Sequence, residues 1–144
     1  MPAKGILLFG KDKSMKHKVI LALGTNVNEA CMEQAKQLLR EEMQDIGFTS
    51  TLQTEAIGIV SPSFLNCLAK GSTDKDKETL KKSLKQMERQ CGDTRKKRSE
   101  NVIAMDIDLL RFDDERLHKS DWNRDYIKEL LAEWNETTTH QANT

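Results

Sequence analysis

The order in which hydrophobic periodicity changes along this chain constrains its fold more than any other feature of the sequence. Short apolar runs with the spacing of strands alternate with longer stretches in which apolar residues recur at the spacing of one helix face. The order is strand, helix, strand, strand, helix, strand, and one more helical stretch follows. We therefore expect a mixed domain in which helices pack on a single sheet.

Four segments have the composition and spacing of strands. The first is 17–23, an apolar run that ends at Gly24-Thr25-Asn26, and the others are 48–56, 64–71 and 102–112. Turn-forming residues or a change of period separate each segment from the next. We therefore expect four separate strands.

Three segments have helical periodicity. The first spans 28–46 and stops at Gly47, the second spans 76–91 and stops at Gly92, and the third begins at Ser120-Asp121. Each has an apolar stripe of the kind that a helix buries against a sheet. The stripe of the second helix is Leu80, Leu84, Met87 and Cys91, and that of the third is Trp122, Tyr126, Leu130 and Trp134.

These elements in this order predict an α+β fold of the ferredoxin-like kind, βαββαβ, with an antiparallel sheet and helices on one face, plus a C-terminal helix. We expect a single domain over 17–135. The basic segment 1–16 is expected to be a poorly ordered N-terminal extension, and 136–144 a polar tail. This fold hosts many activities, so the function has to be argued from particular residues.

Composition excludes several classes of function. Basic and acidic residues are equal in number, 23 of each, so the formal net charge is zero. A general nucleic-acid or membrane-surface binder needs a basic excess, and no apolar run reaches the roughly 20 residues that span a bilayer. Cys31, Cys67 and Cys91 have neither disulfide nor zinc-site spacing and fall on apolar stripes. We expect a cytoplasmic monomer that binds neither nucleic acid nor membranes.

The most informative polar residues are two carboxylates in the last predicted strand. Asp106 and Asp108 stand two positions apart, so a strand presents both on one face, while Ile103 and Met105 are expected on the opposite, core-facing side. Two like charges so close repel each other unless a cation lies between them, and carboxylate oxygens suit Mg²⁺, which also binds substrate phosphates. We expect a magnesium site. The alternative is the solvated outer face of an edge strand.

Two further groups of residues fit a nucleotide site beside these carboxylates. The run 95–98, Arg-Lys-Lys-Arg, lies in a predicted loop before the last strand and offers cations for phosphates, although such runs are more often simply solvated. Phe64 and Asn66 share a strand face, where a ring can stack on a flat heterocycle while an amide bonds its edge. The alternative for this pair is a core aromatic beside a structural asparagine. No P-loop pattern is present, so side chains would hold the phosphates.

Four motifs occur together in this chain: 23–26 (Leu-Gly-Thr-Asn), 64–66 (Phe-Leu-Asn), 88–96 (Glu-x-x-x-Gly-x-x-Arg-Lys) and 105–112 (Met-Asp-Ile-Asp-Leu-Leu-x-Phe). In this order and at nearly this spacing they resemble the 6-hydroxymethyl-7,8-dihydropterin pyrophosphokinase family. That family, part of folate biosynthesis, moves a pyrophosphoryl group from ATP to a pterin alcohol. The resemblance covers about 18–131, and the ferredoxin-like fold of the family agrees with the predicted order of elements.

The resemblance implies roles for residues at matching positions. It implies that Asp106 and Asp108 bind two Mg²⁺ ions that bridge the phosphates of ATP, and that ATP and 6-hydroxymethyl-7,8-dihydropterin are the substrates. His118 matches a nucleotide-contacting histidine. The ATP-binding residues are Glu88, Arg95, Lys96 and Arg124, and Arg98 of the basic run is added to them as a cation that could replace a missing family arginine. The pterin-binding residues are Thr54, Phe64 and Asn66, and the catalytic residues are Asp106, Asp108 and Arg95.

The chain also departs from the pattern of this family. Asp93 stands where the family carries an arginine, and 99–103 replaces a loop stretch that contains a tryptophan and arginines. Glu55-Ala56 replaces a Pro-Pro pair, and a C-terminal Pro-His motif is absent. Because loop arginines stabilise charge in the transition state, we expect binding to survive better than rate. The alternative hypothesis is a catalytically weakened relative that binds a pterin, a nucleotide or a protein partner without turnover.

Overall fold

The computed structural model describes residues 16–56 and 61–143. All but one residue of the segment 1–16, the expected N-terminal extension, lies outside this part of the chain, so that expectation stays a prediction. No helix of the described part is long and apolar enough to cross a membrane.

Six strands of the described chain form one sheet. They are β1 (His17–Thr25), β2 (Gln44–Phe48), β3 (Leu52–Thr54), β4 (Phe64–Thr73), β5 (Asp106–Phe112) and β6 (Glu115–Arg116). The order across the sheet is β2-β4-β1-β5-β6, and β2 and β3 pair with successive parts of β4. Every pairing is antiparallel, which confirms the predicted ferredoxin-like sheet.

Four α-helices and a short 3₁₀ helix (Lys119–Asn123) accompany the sheet in the described residues. The α-helices are α1 (Glu29–Glu42), α2 (Lys77–Gln90), α3 (Arg95–Ser99) and α4 (Asp125–Asn143). The side chains of Asn28 and Asp76 cap α1 and α2 by accepting backbone hydrogen bonds from the first turn. Gly92 follows α2 with a φ of 97°, a left-handed conformation that favours glycine and ends the helix as predicted.

The larger core lies between one face of the sheet and the helices α1 and α2. Leu21, Leu23 and Ile107 of the central strands enter this core together with Cys67. The predicted stripe of α2 is buried there: Leu80, Leu84, Met87 and Cys91. Cys31 is only half-buried at its edge. The spacing of apolar residues therefore predicted correctly which face each of these elements buries.

A smaller core lies on the opposite face of the sheet, beneath α4. Ile127 and Leu130 of α4 pack there with Leu68 of β4 and Leu110 of β5. The aromatic members of the predicted C-terminal stripe border this core: Trp122, Tyr126 and Trp134. The predicted helix pair thus covers one face, and the C-terminal helix covers part of the other.

The predicted first helix is too long, and the predicted second strand is divided. Met43 takes extended backbone angles, so α1 ends before it and 44–48 forms β2, with Gly47 inside the strand rather than at a helix end. Met43 and Ile46 both reach the core, so their spacing fits a helix and this strand alike. The stretch predicted as one strand over 48–56 contributes to both β2 and β3, because each pairs with its own part of β4.

The last predicted strand begins later than expected. β5 starts at Asp106, not at Val102, and Ile103 lines a pocket instead of entering the core. The Asn26 side chain accounts for this difference. Its Oδ1 accepts a hydrogen bond from the backbone N of Ile103 at 2.7 Å, and its Nδ2 donates to the backbone oxygen of Asn101 at 2.8 Å. These bonds hold the segment against the end of β1 and prevent it from continuing the strand.

Two helical segments near this pocket also differ from the prediction. Residues 95–99 form α3 where we expected a loop, and the Thr94 hydroxyl caps this short helix. The 3₁₀ helix precedes α4, which begins at Asp125 and not at Ser120-Asp121. The backbone of α4 continues through most of the segment 136–144, the expected polar tail.

Candidate active site

A pocket of about 260 Å³ opens on the face of the sheet that carries α4. Strands β1, β4 and β5 form its floor, and the beginning of α4 contributes to its wall. Seven of the ten predicted site residues line it: Thr54, Phe64, Asn66, Arg98, Asp106, Asp108 and Arg124. The structure therefore brings the two predicted substrate sites together in one pocket.

The floor of the pocket is open because the residues of β1 opposite the two carboxylates are small. Asp106 pairs with Gly24, and Asp108 pairs with Ala22. On its other side Gly24 pairs with Asn66 of β4, and a Cβ atom on Gly24 would lie 3.4 Å from Oδ1 of that asparagine. A larger residue at this position would occupy the space between the amide and the carboxylates.

The two carboxylates of β5 face the pocket together, as predicted. Burial raises the pKa of Asp108, and the carboxylates of Asp106, Asp121 and Glu88 add to this effect, which brings the pKa to about 7. Fully solvated carboxylates keep pKa values near their ordinary range. This pKa favours a partly desolvated Asp108 over a fully solvated strand face, although the side chain of Asp106 is 36% exposed. Cation binding by the pair stays a prediction.

The donor set of the pocket fits a magnesium ion that arrives with a nucleotide. Asp106 and Asp108 supply hard carboxylate oxygens on the same side of the pocket. Within the described residues, no group of three His, Cys, Asp or Glu side chains could hold a metal ion by itself. Mg²⁺ commonly binds through one or two carboxylates and takes its other ligands from phosphates and water. Two carboxylates are therefore sufficient.

Glu88 lies beneath the carboxylate strand and does not line the pocket. Its side chain is 4% exposed, and its Oε2 accepts a hydrogen bond from the backbone N of Ile107 at 2.7 Å. Burial raises the pKa of Glu88, and the hydrogen bond from Ile107 opposes this effect. Lys85 Nζ at 3.6 Å and Arg98 Nη2 at 3.9 Å balance its charge. Glu88 thus fastens α2 to β5, and its contact with ATP stays a prediction.

Arg98 lies beside the carboxylate pair and has several acceptors. Its Nε donates to both carboxylate oxygens of Asp93, at 2.9 and 2.8 Å. Its Nη2 donates to the backbone oxygen of Met105 at 3.2 Å and to Oδ1 of Asp106 at 3.3 Å. Asp93, the residue that replaces an arginine of the family pattern, is therefore the closest partner of Arg98.

The rest of the basic run does not line the pocket. Arg95 and Lys96 are exposed on α3, and the Lys97 ammonium donates to the backbone oxygen of Gly92 at 2.8 Å. His118 is exposed at the start of the 3₁₀ helix, also outside the lining. The contacts predicted between these residues and ATP stay predictions.

Across β1 from the carboxylates, the side of the pocket is formed by β3 and the adjoining part of β4, and we call this side the wall. Thr54 pairs with Phe64 across the two strands. Asn66 is 6% exposed, and its Nδ2 donates to the Thr54 hydroxyl at 2.7 Å and to the backbone oxygen of Leu52 at 3.4 Å. These bonds fix the amide plane and leave Oδ1 on the side of Gly24. Phe64 and Asn66 both line the pocket, while the bonds of Asn66 to Thr54 and Leu52 also give it a structural role. Contact of this pair with a pterin stays a prediction.

Seven lining residues were not among the predicted site residues: Ala22, Leu23, Gly24, Glu55, Ile103, Asp121 and Tyr126. Asp121 has the position expected for a helix cap, but it lines the pocket and its Oδ1 accepts a hydrogen bond from Arg124 Nε at 3.0 Å. Ile103 reaches the pocket through its bonds to Asn26. The i, i+3 spacing of Asp121 and Arg124 could have indicated their ion pair, but no local pattern indicates the turn at Ile103.

A wider cleft of about 520 Å³ adjoins the pocket and shares Thr54, Arg124 and Tyr126 with it. Its other described lining residues are Leu52, Gln53, Asn123, Asp125 and Glu129. Ligand sites for small molecules usually enclose about 300–1,000 Å³. The pocket and the cleft together reach that range, so the site has room for a flat heterocycle and for part of a nucleotide.

The sequence model of the 7,8-dihydro-6-hydroxymethylpterin-pyrophosphokinase (HPPK) family matches residues 20–136. The chain belongs to this family. The match includes every residue that lines the pocket, and it confirms the resemblance seen in the four motifs. The HPPK fold also agrees with the antiparallel sheet described above. No curated protein matches the chain.

Proposed function

We propose that this HPPK family member transfers a pyrophosphoryl group from Mg-ATP to 6-hydroxymethyl-7,8-dihydropterin. The hydroxymethyl oxygen attacks the β-phosphorus, the bond from that phosphorus to the oxygen that bridges to the α-phosphorus breaks, and AMP leaves. The hydroxyl proton passes to solvent. The observation that carries the proposal is the presence, in one pocket, of a carboxylate pair and an aromatic–amide wall. These two groups suit the two substrates.

The phosphate side of the proposed site consists of Asp106 and Asp108 with nearby cations. These carboxylates would hold Mg²⁺, and the ion would supply charge neutralisation at the attacking and leaving oxygens. Arg98 and Arg124, which line the pocket, contact the phosphates. Arg95 and Lys96 of α3 contact the outer phosphates, and Arg95 stabilises the charge of the transition state. Glu88 contributes indirectly, because its hydrogen bond from the backbone N of Ile107 holds β5 in place.

The pterin side of the proposed site consists of Thr54, Phe64 and Asn66. The Phe64 ring stacks on the flat pterin, and Asn66 Oδ1 accepts a hydrogen bond from a ring N–H group. The Thr54 hydroxyl fixes the amide of Asn66 in the orientation that this contact needs. Since these residues lie on paired strands, the pterin meets a wall that does not have to rearrange.

We also propose the setting in which this reaction takes place. The chain acts as a cytoplasmic monomer whose single domain spans 17–135, and its partners are the two substrates alone. Equal numbers of acidic and basic residues support the absence of nucleic-acid and membrane partners.

A second candidate function is binding of pterin and nucleotide without turnover. This candidate is supported by the small number of cations that the phosphate side offers to ATP. Arg98 is engaged by Asp93 and Asp106, and Arg95 and Lys96 lie outside the lining. A pocket with few free cations holds Mg-ATP but stabilises less charge in the transition state.

Incubation with Mg-ATP and 6-hydroxymethyl-7,8-dihydropterin, followed by separation of AMP from ADP, tests the proposal. We expect AMP to form in proportion to the pterin consumed, and no AMP when the pterin is omitted. Protein that binds both substrates in a calorimeter but yields no AMP would support the second candidate instead. Protein that binds neither substrate would contradict both.

A further inference from the structure

An ion pair between Asp93 and Arg98 lies beside the carboxylates of β5. The two oxygens of Asp93 accept hydrogen bonds from Nε of Arg98 at 2.9 and 2.8 Å. The side chain of Asp93 is 11% exposed and that of Arg98 is 35% exposed. The carboxylate is thus shielded from water, while the guanidinium remains open to the pocket that it lines.

The turn between α2 and α3 fixes this ion pair from several directions. The backbone N of Asp93 donates to the backbone oxygen of Glu88 at 3.1 Å. The ammonium of Lys97 donates to the backbone oxygen of Gly92 at 2.8 Å, and the hydroxyl of Thr94 caps α3 by accepting from the backbone N of Lys97 at 3.1 Å. Because its backbone and its carboxylate are both held, Asp93 is a firm anchor for the arginine.

The hydrogen bonds of Arg98 divide its guanidinium into an anchored edge and an edge toward the pocket. Nε binds Asp93, whereas Nη2 donates to the backbone oxygen of Met105 at 3.2 Å and to Oδ1 of Asp106 at 3.3 Å. A cation bound at Asp106 would compete for Oδ1, so the contact between Nη2 and Asp106 is the one that a metal–nucleotide complex would exchange. A guanidinium released from Asp106 would still be held by Asp93 and by the Met105 oxygen, and its remaining N–H donors could bind the phosphate oxygens that accompany the metal.

We propose that Asp93 is a positioning residue that directs Arg98 toward the β- and γ-phosphates of the nucleotide. This inference rests on the proposed function. Without the Asp93 carboxylate, Arg98 turns to its remaining acidic neighbours, Asp106 and Glu88, and at Asp106 it competes with the metal. Asp93, in the position of a family arginine, thus acts on the phosphates through a cation five residues later in the sequence.

The test is a double-mutant cycle on binding of the Mg²⁺ complex of α,β-methylene-ATP, whose α–β linkage the transfer cannot break. Titration calorimetry compares wild type, Asp93→Ala, Arg98→Ala and the double variant. We expect Asp93→Ala to weaken binding by about tenfold, or about 1.4 kcal/mol. Asp93→Asn, which keeps an acceptor for Nε, should lose less. In the Arg98→Ala background, loss of Asp93 should change affinity by less than about twofold.

Three controls separate positioning from a general structural effect. AMP, which lacks the β- and γ-phosphates, and the pterin should bind wild type and Asp93→Ala with equal affinity. Asp114→Ala should leave all affinities unchanged, because it removes an Asp–Arg pair outside the pocket, to Arg111 at 3.6 Å.

The outcomes distinguish this inference from the proposed function. Wild-type affinity in Asp93→Ala, an equal loss for AMP, or an undiminished effect in the Arg98→Ala background would each overturn the positioning role alone. Wild-type protein that binds neither the ATP analogue nor the pterin would overturn the proposed function, and the inference with it.

Discussion

The pterin side and the phosphate side of the pocket are built in different ways. Phe64, Asn66 and Thr54 lie on paired strands, and a partly buried hydrogen bond of 2.7 Å fixes the amide of the asparagine. On the other side, the cations Arg98 and Arg124 are held by ion pairs, at the ends of short helices. Recognition of a flat, rigid ligand needs fixed donors and acceptors, whereas charged phosphates and a metal need partners that can be exchanged.

The departures from the family pattern fall mainly on the phosphate side. Asp93 and the segment 99–103 lie around α3, while Phe64 and Asn66 match the family motif. A chain of this kind can keep its ligand-binding wall while the rate of transfer changes. Variants that damage one side alone therefore test whether the two sides are independent.

The largest effect is expected from loss of either carboxylate of β5. Asp106→Asn or Asp108→Asn should lower the rate of AMP formation by about a thousandfold, because the amide holds Mg²⁺ poorly. Pterin affinity, measured by calorimetry, should change by less than about twofold, since the wall of β3 and β4 is untouched. A variant that keeps a tenth of the wild-type rate would contradict the metal-binding role.

The next effect concerns the stability of the phosphate side. Glu88→Ala leaves the backbone N–H of Ile107 buried without its acceptor, so the free energy of unfolding should fall by about 2 kcal/mol. Glu88→Gln keeps an acceptor at this position and should lose less. Urea denaturation followed by circular dichroism measures both variants. Equal losses of unfolding free energy in the two variants would show that the hydrogen-bond acceptor for Ile107 is not the source of the stability.

On the pterin side, Phe64→Ala should weaken pterin binding by about tenfold, because the flat ligand loses its stacking partner. Affinity for the Mg²⁺ complex of α,β-methylene-ATP should stay within about twofold of wild type. Phe64→Leu serves as the matched control, since it keeps apolar volume without a ring, and it should bind pterin with intermediate affinity. Loss of nucleotide binding in Phe64→Ala would show that the two sides are not independent.

The smallest effect is a pH dependence confined to the phosphate side. In metal-free protein Asp108 has a pKa of about 7, above its ordinary 3.8, so the folded state binds the proton more tightly than the unfolded state. Its contribution to stability is therefore full below about pH 4 and is lost as the pH rises toward 7. Asp108→Asn should flatten this decline and raise the free energy of unfolding at pH 8 by about 1 kcal/mol. The free energy of unfolding is measured against pH in EDTA, which removes metal. A decline in Asp108→Asn as steep as that of the wild type would contradict this account.

The sequence predicted those parts of the fold and site that depend on local periodicity. Simple alternation predicted that Asp106 and Asp108 share one face of their strand and that Phe64 and Asn66 share one face of theirs, and the structure places both pairs in one pocket. Helical spacing likewise predicted the buried apolar stripe of α2, which starts at Leu80.

What the sequence did not predict depends on contacts between distant residues. Met43 and Ile46 have a spacing that fits two structures, and pairing with β4 decides between them. Asn26 holds Ile103 through bonds across 77 positions of sequence, so β5 starts late. The partnership of Asp93 with Arg98 forms only because α3 replaces the expected loop.

The central claim, transfer of an intact pyrophosphoryl group to the pterin, is tested most directly by ³¹P NMR of the reaction with Mg-ATP. The account predicts that the ATP signals are replaced by those of AMP and of a pyrophosphate monoester on the pterin, at equal rates. Signals of ADP or inorganic phosphate that grow without regard to the pterin would contradict it. So would an unchanged ATP spectrum under conditions in which calorimetry shows both substrates bound.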